Sequence, residues 1–244
     1  MAQWLKRLFR RDRAESAFCS AVVPAAGSSS RMEGQDKILL PLGDVPLLLH
    51  TLRALDACPR IHEIVVVTRE DLIVPISQLC RDAALEKVTR VVVGGASRAE
   101  SVLRGIRETD PDAALIAIHD GARPLVSQAL LDAVIARAEE TGAAAPAVPV
   151  KDTIKRAVGH VVESTPDRSE LFAVQTPQVF DADLIRGSLA RALEEGAELT
   201  DDCSAVERMG MKVSLTEGDY MNLKITTPED MVLAEALLDW RERN

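Results

Sequence analysis

The sequence predicts an α/β fold, in which a mostly parallel, twisted sheet is covered by helices on both faces. Short aliphatic runs alternate with segments whose apolar residues recur at helical spacing, and the links between them are short. Aromatic residues make up only 3% of the 244 residues, so the core must be built from aliphatic side chains. Alternating strands and helices of this kind form right-handed βαβ units with parallel strands. The predicted architecture is therefore Rossmann-like.

The first part of the chain supplies most of the predicted sheet. Each apolar run is read as a buried strand, and each segment of helical periodicity as the helix that follows it. The predicted strands are residues 21–23, 64–67, 88–93, 114–118 and 143–148, and the predicted helices are residues 45–58, 72–84, 99–108 and 128–141.

The alternation changes between residues 151 and 174. Short strand-like runs at 153–155 and 160–162, with 157–159 between them, predict a protruding β-arm over about residues 150–174. A two-stranded ribbon is marginally stable on its own in water. We therefore expect the arm to contact a second copy of the chain, giving a homodimer.

Regular alternation returns after the arm. Apolar periodicity predicts helices at 182–195 and 201–209 and a strand at 212–215. A last helix is expected to begin with Thr227 as its N-cap and Pro228 as its first residue, and the two acidic residues that follow favour the positive end of the helix dipole.

Composition limits the classes of function. A formal net charge of −9 argues against binding to nucleic-acid backbone. The four cysteines are scattered and form no C-x-x-C pair, which indicates free thiols in a reducing cytoplasm rather than disulfides or a zinc site. His119 ends an apolar run and is expected to be a packed strand residue rather than a ligand. No stretch is long enough to predict a membrane span.

A basic segment precedes the predicted domain. Five basic residues stand against Asp12 within residues 1–13, and the apolar residues there fall on one face of a helix. We delimit a basic amphipathic extension at residues 1–18 and a single domain at 19–244. The extension is interpreted either as weakly packed on the domain or as a short amphipathic helix that contacts an anionic membrane or a partner.

The segment after the first strand is the most informative. Pro24, Ala25, Ala26 and Gly27 open a loop of small residues, which exposes backbone N–H groups to an anion. Arg31 and Lys37 follow, and two cations with backbone donors suit a triphosphate. The loop lacks the Gly-Lys-Ser/Thr of a P-loop and the three glycines of a dinucleotide site. An ordinary turn with two solvated cations is the alternative.

Two further loops should share this edge of the sheet. Ligands of open parallel sheets bind outside the carboxyl ends of the strands. The loops after Val23, Val93 and Ile118 should therefore line one crevice, which would hold the small-residue loop, the Gly-Gly turn and the Asp-Gly-Ala-Arg-Pro turn.

Seven segments in order resemble the 2-C-methyl-D-erythritol 4-phosphate cytidylyltransferase family, from about Ser20 to the C-terminus. They are V-P-A-A-G-S-S-S-R-M at 23–32, G-G-A-S-R-A-E-S at 94–101, H-D-G-A-R-P at 119–124, V-K-D-T-I-K at 150–155, Q-T-P-Q at 175–178, L-T-D-D at 199–202 and N-L-K-I-T-T-P-E-D at 222–230. The resemblance implies transfer of a cytidylyl group from CTP to methylerythritol phosphate, with release of pyrophosphate, in non-mevalonate isoprenoid biosynthesis.

The resemblance also implies roles for particular residues. Arg31, Lys37 and Lys224 would be catalytic, the first two on the triphosphate and the third at the α-phosphate. The nucleotide would be bound by Pro24, Ala25, Ala26, Gly27, Gly95, Ala96, Ser101 and Asp120. Mg²⁺ would be the cofactor, with Asp120 as its protein ligand, directly or through water. The acceptor would be bound by Arg123 and Thr200, and by Thr153 and Arg168 from the arm of the second subunit.

Two other functions remain open at this point. A ribitol 5-phosphate cytidylyltransferase would use the same chemistry, but the Ala25-Ala26-Gly27 start and the Thr153 and Arg168 pair favour methylerythritol phosphate. A noncatalytic nucleotide-binding scaffold is disfavoured, since binding alone does not need a set of cations directed at departing pyrophosphate.

Overall fold

An eight-stranded sheet organises the part of the chain that the computed structural model describes, residues 17–26 and 36–243. Two small antiparallel pairs, β2–β3 and β8–β9, lie outside it. In chain order the strands are β1 (Cys19–Pro24), β2 (Pro41–Leu42), β3 (Val45–Pro46), β4 (Glu63–Thr68), β5 (Val88–Val93), β6 (Leu115–Ile118), β7 (Ala143–Pro149), β8 (Arg156–Val158), β9 (Val161–Ser164), β10 (Phe172–Val174), β11 (Gln178–Asp181) and β12 (Ser214–Glu217).

The sheet is mostly parallel, as predicted. Neighbouring strands follow the order β5-β4-β1-β6-β11-β7, and β7 also pairs with β10 and with β12. β10 and β11 run antiparallel to their partners, whereas the pairs of β1 with β4, β1 with β6, β4 with β5 and β7 with β12 are parallel. The carboxyl ends of β1, β4, β5 and β6 therefore meet at one edge.

Helices cover both faces of this sheet. Those described are α1 (Leu47–Asp56), α2 (Ile73–Asp82), α3 (Arg98–Arg107), α4 (Gln128–Thr141), α5 (Ala182–Glu194), α6 (Asp202–Arg208) and α7 (Pro228–Arg243). In β1, Ala21 and Val23 join the apolar cluster under α1, α2 and α4, while Val22 joins the cluster under α3, α5 and α6. Successive residues of β1 thus pack into two different cores, one on each face of the sheet. This explains why the strand sequences are almost continuously apolar.

The β-arm has a different register from the predicted one. The prediction of a strand at 153–155 was wrong, because β8 begins at Arg156 and pairs Val158 with Val161. Gly159 and His160 form the two-residue turn, with φ of 52° and 65°. Both turn residues need a positive φ in hairpins of this kind, so His160 lies in the turn rather than in a strand.

The two antiparallel strands β10 and β11 were not predicted. They are three and four residues long and flank Gln175-Thr176-Pro177, so they carry little periodic signal. The strand expected at 212–215 begins later, at Ser214, where it pairs with β7.

The C-terminal helix begins as predicted at Pro228. Thr227 Oγ1 accepts a bond from the Asp230 backbone N–H at 3.4 Å, and the Asp230 carboxylate accepts from the N–H groups of Thr226 and Thr227 at 2.7 and 2.9 Å. Among the described helices, none is both long and apolar enough to cross a membrane.

Gly105 sets how closely α3 lies on the sheet, and this contact generates a stability prediction. A Cβ at Gly105 would lie 2.6 Å from side-chain carbons of both Val22 and Val67. Alanine gains about 1 kcal/mol of helix propensity over glycine, but overpacking a core costs about 1–3 kcal/mol. Gly105→Ala should therefore lower the free energy of unfolding by about 1 kcal/mol, as measured by urea denaturation.

Gly187 provides the matched control. It lies within α5, and a Cβ there would meet nothing within 4 Å. Gly187→Ala should raise the free energy of unfolding by about 0.5–1 kcal/mol. If both substitutions change the free energy of unfolding in the same direction, the close packing of α3 at Gly105 does not determine the effect of an added methyl group there.

Candidate active site

Three loops meet at the carboxyl edge of the sheet through backbone hydrogen bonds. Ala25 N–H donates to the Val67 carbonyl at 2.7 Å, Gly94 N–H to the Thr68 carbonyl at 2.8 Å, and Gly121 N–H to the Pro24 carbonyl at 3.1 Å. Ala25 is buried, while Pro24 and Ala26 are half-buried. The predicted site residues Gly27 and Arg31 lie outside the described residues.

The loop after β5 is braced by the first turn of α3. Ser101 Oγ accepts from Gly95 N–H at 3.0 Å and donates to the Ser97 carbonyl at 2.8 Å, and Glu100 Oε2 accepts from Ala96 N–H at 2.8 Å. A Cβ at Gly95 would collide with the Glu100 side chain, at 2.3 Å from its Cδ. Glycine at this position thus allows Glu100 to fold over the loop.

Asp120 is the electrostatic centre of the site. Its carboxylate lies 2.9 Å from Lys224 Nζ, 3.6 Å from Arg98 Nη2 and 3.7 Å from Arg123 Nε, and the residue is only 7% exposed. Burial alone would raise the pKa of Asp120, but Lys224 and the two guanidinium groups outweigh burial and lower it to about 2. Asp120 is therefore a charged carboxylate surrounded by three cations.

Arg98 joins this centre to the start of α6. Its Nη2 donates to Asp202 Oδ2 at 2.7 Å, and Asp202 is 1% exposed. Burial would lower the pKa of Arg98, but Asp202 and Asp120 raise it. The Gln178 side chain accepts from the N–H groups of Asp202 and Cys203, each at 3.0 Å. The α6 start is thus tied to the sheet where Arg98 meets it.

The two predicted lysines belong to segments of the chain that contact each other. Lys37 Nζ donates to the carbonyl of Ile225 at 2.9 Å, and Ile225 directly follows Lys224. Asp36 precedes Lys37 and accepts two bonds from Arg69, at 2.7 and 3.0 Å. The structure therefore places the Lys37 ammonium group against the segment that carries Lys224, although the two lysines are far apart in sequence.

A network of buried hydrogen bonds fixes the backbone at Asp120. Asp120 N–H donates to Thr176 Oγ1 at 3.0 Å, Thr176 Oγ1 lies 3.1 Å from His119 Nδ1, and His119 Nε2 lies 3.3 Å from the Arg123 carbonyl. Asn222 donates to the Thr176 carbonyl at 2.9 Å. Burial lowers the pKa of His119 to about 4, so the ring is neutral, and Nδ1 accepts from the threonine hydroxyl while Nε2–H donates.

The structure does not bring the predicted arm residues to this cluster. Thr153 and Arg168 are exposed, and Arg168 donates to the Lys151 carbonyl at 2.7 Å. Arg168 lines a cleft of about 600 Å³ at the base of the arm, where Lys151 Nζ lies 3.5 Å above the Tyr220 ring. Thr200 is exposed and immediately precedes the capping residue of α6.

Sequence reasoning missed four residues of the site: Arg98, Asp202, Thr176 and Asn222. All four lie within segments that carry the family resemblance, so that signal pointed to the right places. The pairing itself could not be found locally, because Arg98 and Asp202 are 104 residues apart.

The side chains at this edge of the sheet suit a metal ion that is held mainly by the phosphate oxygens of a bound substrate. Among residues 17–26 and 36–243, no group of three or more His, Cys, Asp or Glu side chains could hold a metal. Mg²⁺ is usually bound by one or two carboxylates together with water and phosphate oxygens. Asp120, as a charged carboxylate at the crevice, fits that chemistry.

Together the mostly parallel sheet, the loops at its carboxyl edge and the pairing of Lys224 with a buried carboxylate fit an α/β nucleotidyltransferase. The family model described as 2-C-methyl-D-erythritol 4-phosphate cytidylyltransferase matches residues 19–240. The chain belongs to this family.

Known relatives agree over nearly the whole chain. The 2-C-methyl-D-erythritol 4-phosphate cytidylyltransferase of Caldanaerobacter subterraneus subsp. tengcongensis is 46% identical over 226 residues, covering 90% of this chain and 98% of the relative. That of Desulforamulus reducens is 46% identical over 229 residues, covering 91% and 96%. The structure of 4-diphosphocytidyl-2C-methyl-D-erythritol synthase from Anaerococcus prevotii has a TM-score of 0.83 at 32% identity, covering 92% of this chain and 97% of that one.

The neutral His119 generates a pH-dependence prediction. Its pKa falls from 6.5 to about 4 on folding, so the unfolded chain binds more protons between these values. The stability that neutral His119 contributes is complete above pH 6.5 and is lost as the pH falls towards 4. Between pH 7 and pH 4 the wild type should lose about 3 kcal/mol more unfolding free energy than His119→Asn, measured by urea denaturation at each pH. Parallel losses in the two proteins would contradict the assignment.

Proposed function

We propose that this protein transfers the cytidylyl group of CTP to 2-C-methyl-D-erythritol 4-phosphate in non-mevalonate isoprenoid biosynthesis. The products are 4-diphosphocytidyl-2-C-methyl-D-erythritol and pyrophosphate. The observation that carries the proposal is the ion pair of Lys224 with the buried Asp120 at the carboxyl edge of the sheet, with Lys37 bound to the carbonyl of the next residue, Ile225, in a chain of this family.

The chemistry needs charge neutralisation more than proton transfer. An oxygen of the acceptor phosphate attacks the α-phosphorus, and the bond from that phosphorus to the β-bridging oxygen breaks as pyrophosphate leaves with its electron pair. Phosphate monoesters are already largely ionised near pH 7, so a general base is not required. Positioning of two anions and stabilisation of the charge between them are then the main catalytic contributions.

Lys224 is suited to the α-phosphate because its position is fixed before substrate binds. Asp120 holds its ammonium group at 2.9 Å, and a substrate phosphate can accept a further hydrogen bond from the same group. Lys37, held by the Ile225 carbonyl at 2.9 Å, would act on the triphosphate together with Arg31.

The nucleotide would lie across the small-residue loops. We assign Pro24 to Gly27 to the phosphate side, Gly95, Ala96 and Ser101 to the cytosine, and Asp120 to the ribose. The N–H groups of Gly95 and Ala96 donate to Ser101 Oγ and Glu100 Oε2, and these bonds support the assignment because they fix the course of the loop at the edge of the sheet.

Mg²⁺ would be held by substrate phosphates with Asp120 as the protein carboxylate, directly or through water. When bound, it would neutralise phosphate charge and orient the departing pyrophosphate. The low pKa of Asp120 supports this role, because the carboxylate is ionised throughout the working pH range.

The acceptor site would be shared between two copies of the chain. Arg123 and Thr200 would come from one subunit, and Thr153 and Arg168 from the arm of the other. The arm exposes Val158, Val161 and Val162 at 63%, 71% and 55%, apolar surface that a second copy would cover. We infer a homodimer joined through the arm at about residues 150–174.

The surroundings of the cysteines support a cytoplasmic location. All four are buried free thiols, a state that a reducing compartment maintains. We retain one domain over residues 19–244 and a basic extension over 1–18, with weak packing on the domain or weak membrane contact as its two interpretations; residues 1–16 lie outside those described.

The test of the function is pyrophosphate release from CTP and Mg²⁺, measured separately with methylerythritol phosphate and with ribitol 5-phosphate. Release with methylerythritol phosphate alone is expected. Pyrophosphate release with ribitol 5-phosphate alone would indicate a ribitol 5-phosphate cytidylyltransferase. CTP binding without pyrophosphate release in the presence of either acceptor would indicate a noncatalytic scaffold.

Removing either lysine should slow turnover. Lys37→Ala and Lys224→Ala should each lower kcat by about 10²–10³-fold, the usual cost of losing one preorganised donor. Lys87→Ala is the matched control, because Lys87 also donates to a backbone carbonyl, that of Cys58 at 2.7 Å, but precedes β5 at the opposite edge of the sheet. Near-normal kcat in Lys37→Ala or Lys224→Ala would refute the role assigned to that lysine.

Mixing two impaired variants tests whether the acceptor site is shared. Arg168→Ala should mainly raise the KM for the acceptor, and Lys224→Ala should lower kcat. Unfolded and refolded together, they should regain roughly a quarter of wild-type activity at low acceptor concentration, because half of random dimers are mixed and each has one intact site. No recovery, with dimers confirmed by sedimentation, would place Arg168 in its own subunit's site.

A further inference from the structure

Four charged side chains of alternating sign form a continuous row through the site. The row, here called the charge ladder, runs from Asp202 to Arg98 at 2.7 Å, from Arg98 to Asp120 at 3.6 Å, and from Asp120 to Lys224 at 2.9 Å. Its members come from the starts of α6 and α3, the loop after β6 and the loop before α7. Short contacts occur at both ends, and the long contact lies in the middle.

Asp202 anchors one end of the ladder. It is 1% exposed, and the Gln178 side chain accepts from its backbone N–H at 3.0 Å. Within the described residues its Oδ1 has no hydrogen-bond partner, so its recorded side-chain bond is the one from Arg98. Burial raises the pKa of Asp202 and the Arg98 guanidinium opposes that rise. A buried carboxylate needs a cation, and the 2.7 Å bond makes Arg98 that cation.

Arg98 stands between two carboxylates that both attract it. The same Nη2 atom makes the 2.7 Å contact with Asp202 and the 3.6 Å contact with Asp120. A guanidinium released from Asp202 could pair closely with Asp120, and bidentate pairing of arginine with a carboxylate is strong. Arg98 faces Oδ1 of Asp120, whereas Lys224 faces Oδ2. A guanidinium bound to both oxygens would compete with Lys224 for Oδ2 and weaken the short contact that now fixes its ammonium group.

We propose that Asp202 is a positioning residue for the transfer reaction: it holds Arg98 back from Asp120 and so reserves Asp120 for Lys224. This inference rests on the proposed function, in which Lys224 acts at the α-phosphate.

The first test is Asp202→Asn, which keeps the shape of the side chain and removes its charge. The kcat for pyrophosphate release should fall about tenfold, while the KM for CTP changes less than about threefold. Glu108→Gln is the matched control, because it removes a carboxylate paired with Arg90 at 2.6 Å beyond the other end of α3, and it should leave both parameters unchanged. Unchanged kcat in folded Asp202→Asn would overturn the proposal.

The second test is rescue. In Arg98→Gln/Asp202→Asn the guanidinium that could capture Asp120 is gone and no buried charge is left alone, so kcat should return to within about threefold of wild type. If the Arg98–Asp202 pair were only structural, Asp202→Asn would lower thermal stability without lowering kcat, and the double variant would restore the stability alone. A double variant as slow as the single one would also overturn the proposal.

Asp202→Glu covers the case in which Asp202→Asn does not fold. This substitution keeps the ion pair but moves the guanidinium by about the length of one methylene towards Asp120. We expect a kcat between those of the wild type and Lys224→Ala. A kcat equal to that of the wild type would count against the proposal. The wild-type assay keeps the two hypotheses apart. Without turnover by the wild type the proposed function fails, whereas normal turnover by every Asp202 variant refutes the ladder alone.

Discussion

The burial of one carboxylate organises this site. A charged group removed from water must be paired, because an uncompensated buried ion costs several kcal/mol. Asp120 meets that requirement through Lys224, Arg98 and Arg123, which come from three separate segments of the chain. The need to neutralise a single anion therefore draws together the start of α3, the loop after β6 and the loop before α7.

The sheet makes this convergence possible by placing strand ends side by side. Backbone bonds from Ala25, Gly94 and Gly121 to neighbouring strands fix the points at which the chain leaves β1, β5 and β6. Beneath them, Thr176 and Asn222 satisfy buried polar groups that would otherwise be lost from water. A rigid support of this kind suits a reaction whose barrier is lowered mainly by fixed charges, since such charges need not reorganise as the phosphoryl bonds change.

The sequence was informative wherever structure follows from neighbouring residues. The bounds of α4, the start of α7 and the loops at the strand ends depend on periodicity, capping and small residues, and they could be predicted. The register of the β-arm could not, because it depends on the φ values of Gly159 and His160 rather than on hydrophobicity. The Arg98–Asp202 pair was also missed, because a contact across 104 residues leaves no local pattern.

The close contact at Gly105 has a consequence for the active site as well as for the core. Arg98 and Gly105 are seven residues apart in α3, almost two full turns, and so lie on nearly the same side of the helix. The distance between the helix axis and the sheet, fixed where Gly105 meets Val22 and Val67, therefore sets the height of the Arg98 guanidinium above the strand ends. The absence of a side chain at Gly105 thus fixes how close the positive charge of Arg98 lies to the site, and with it the electric field there.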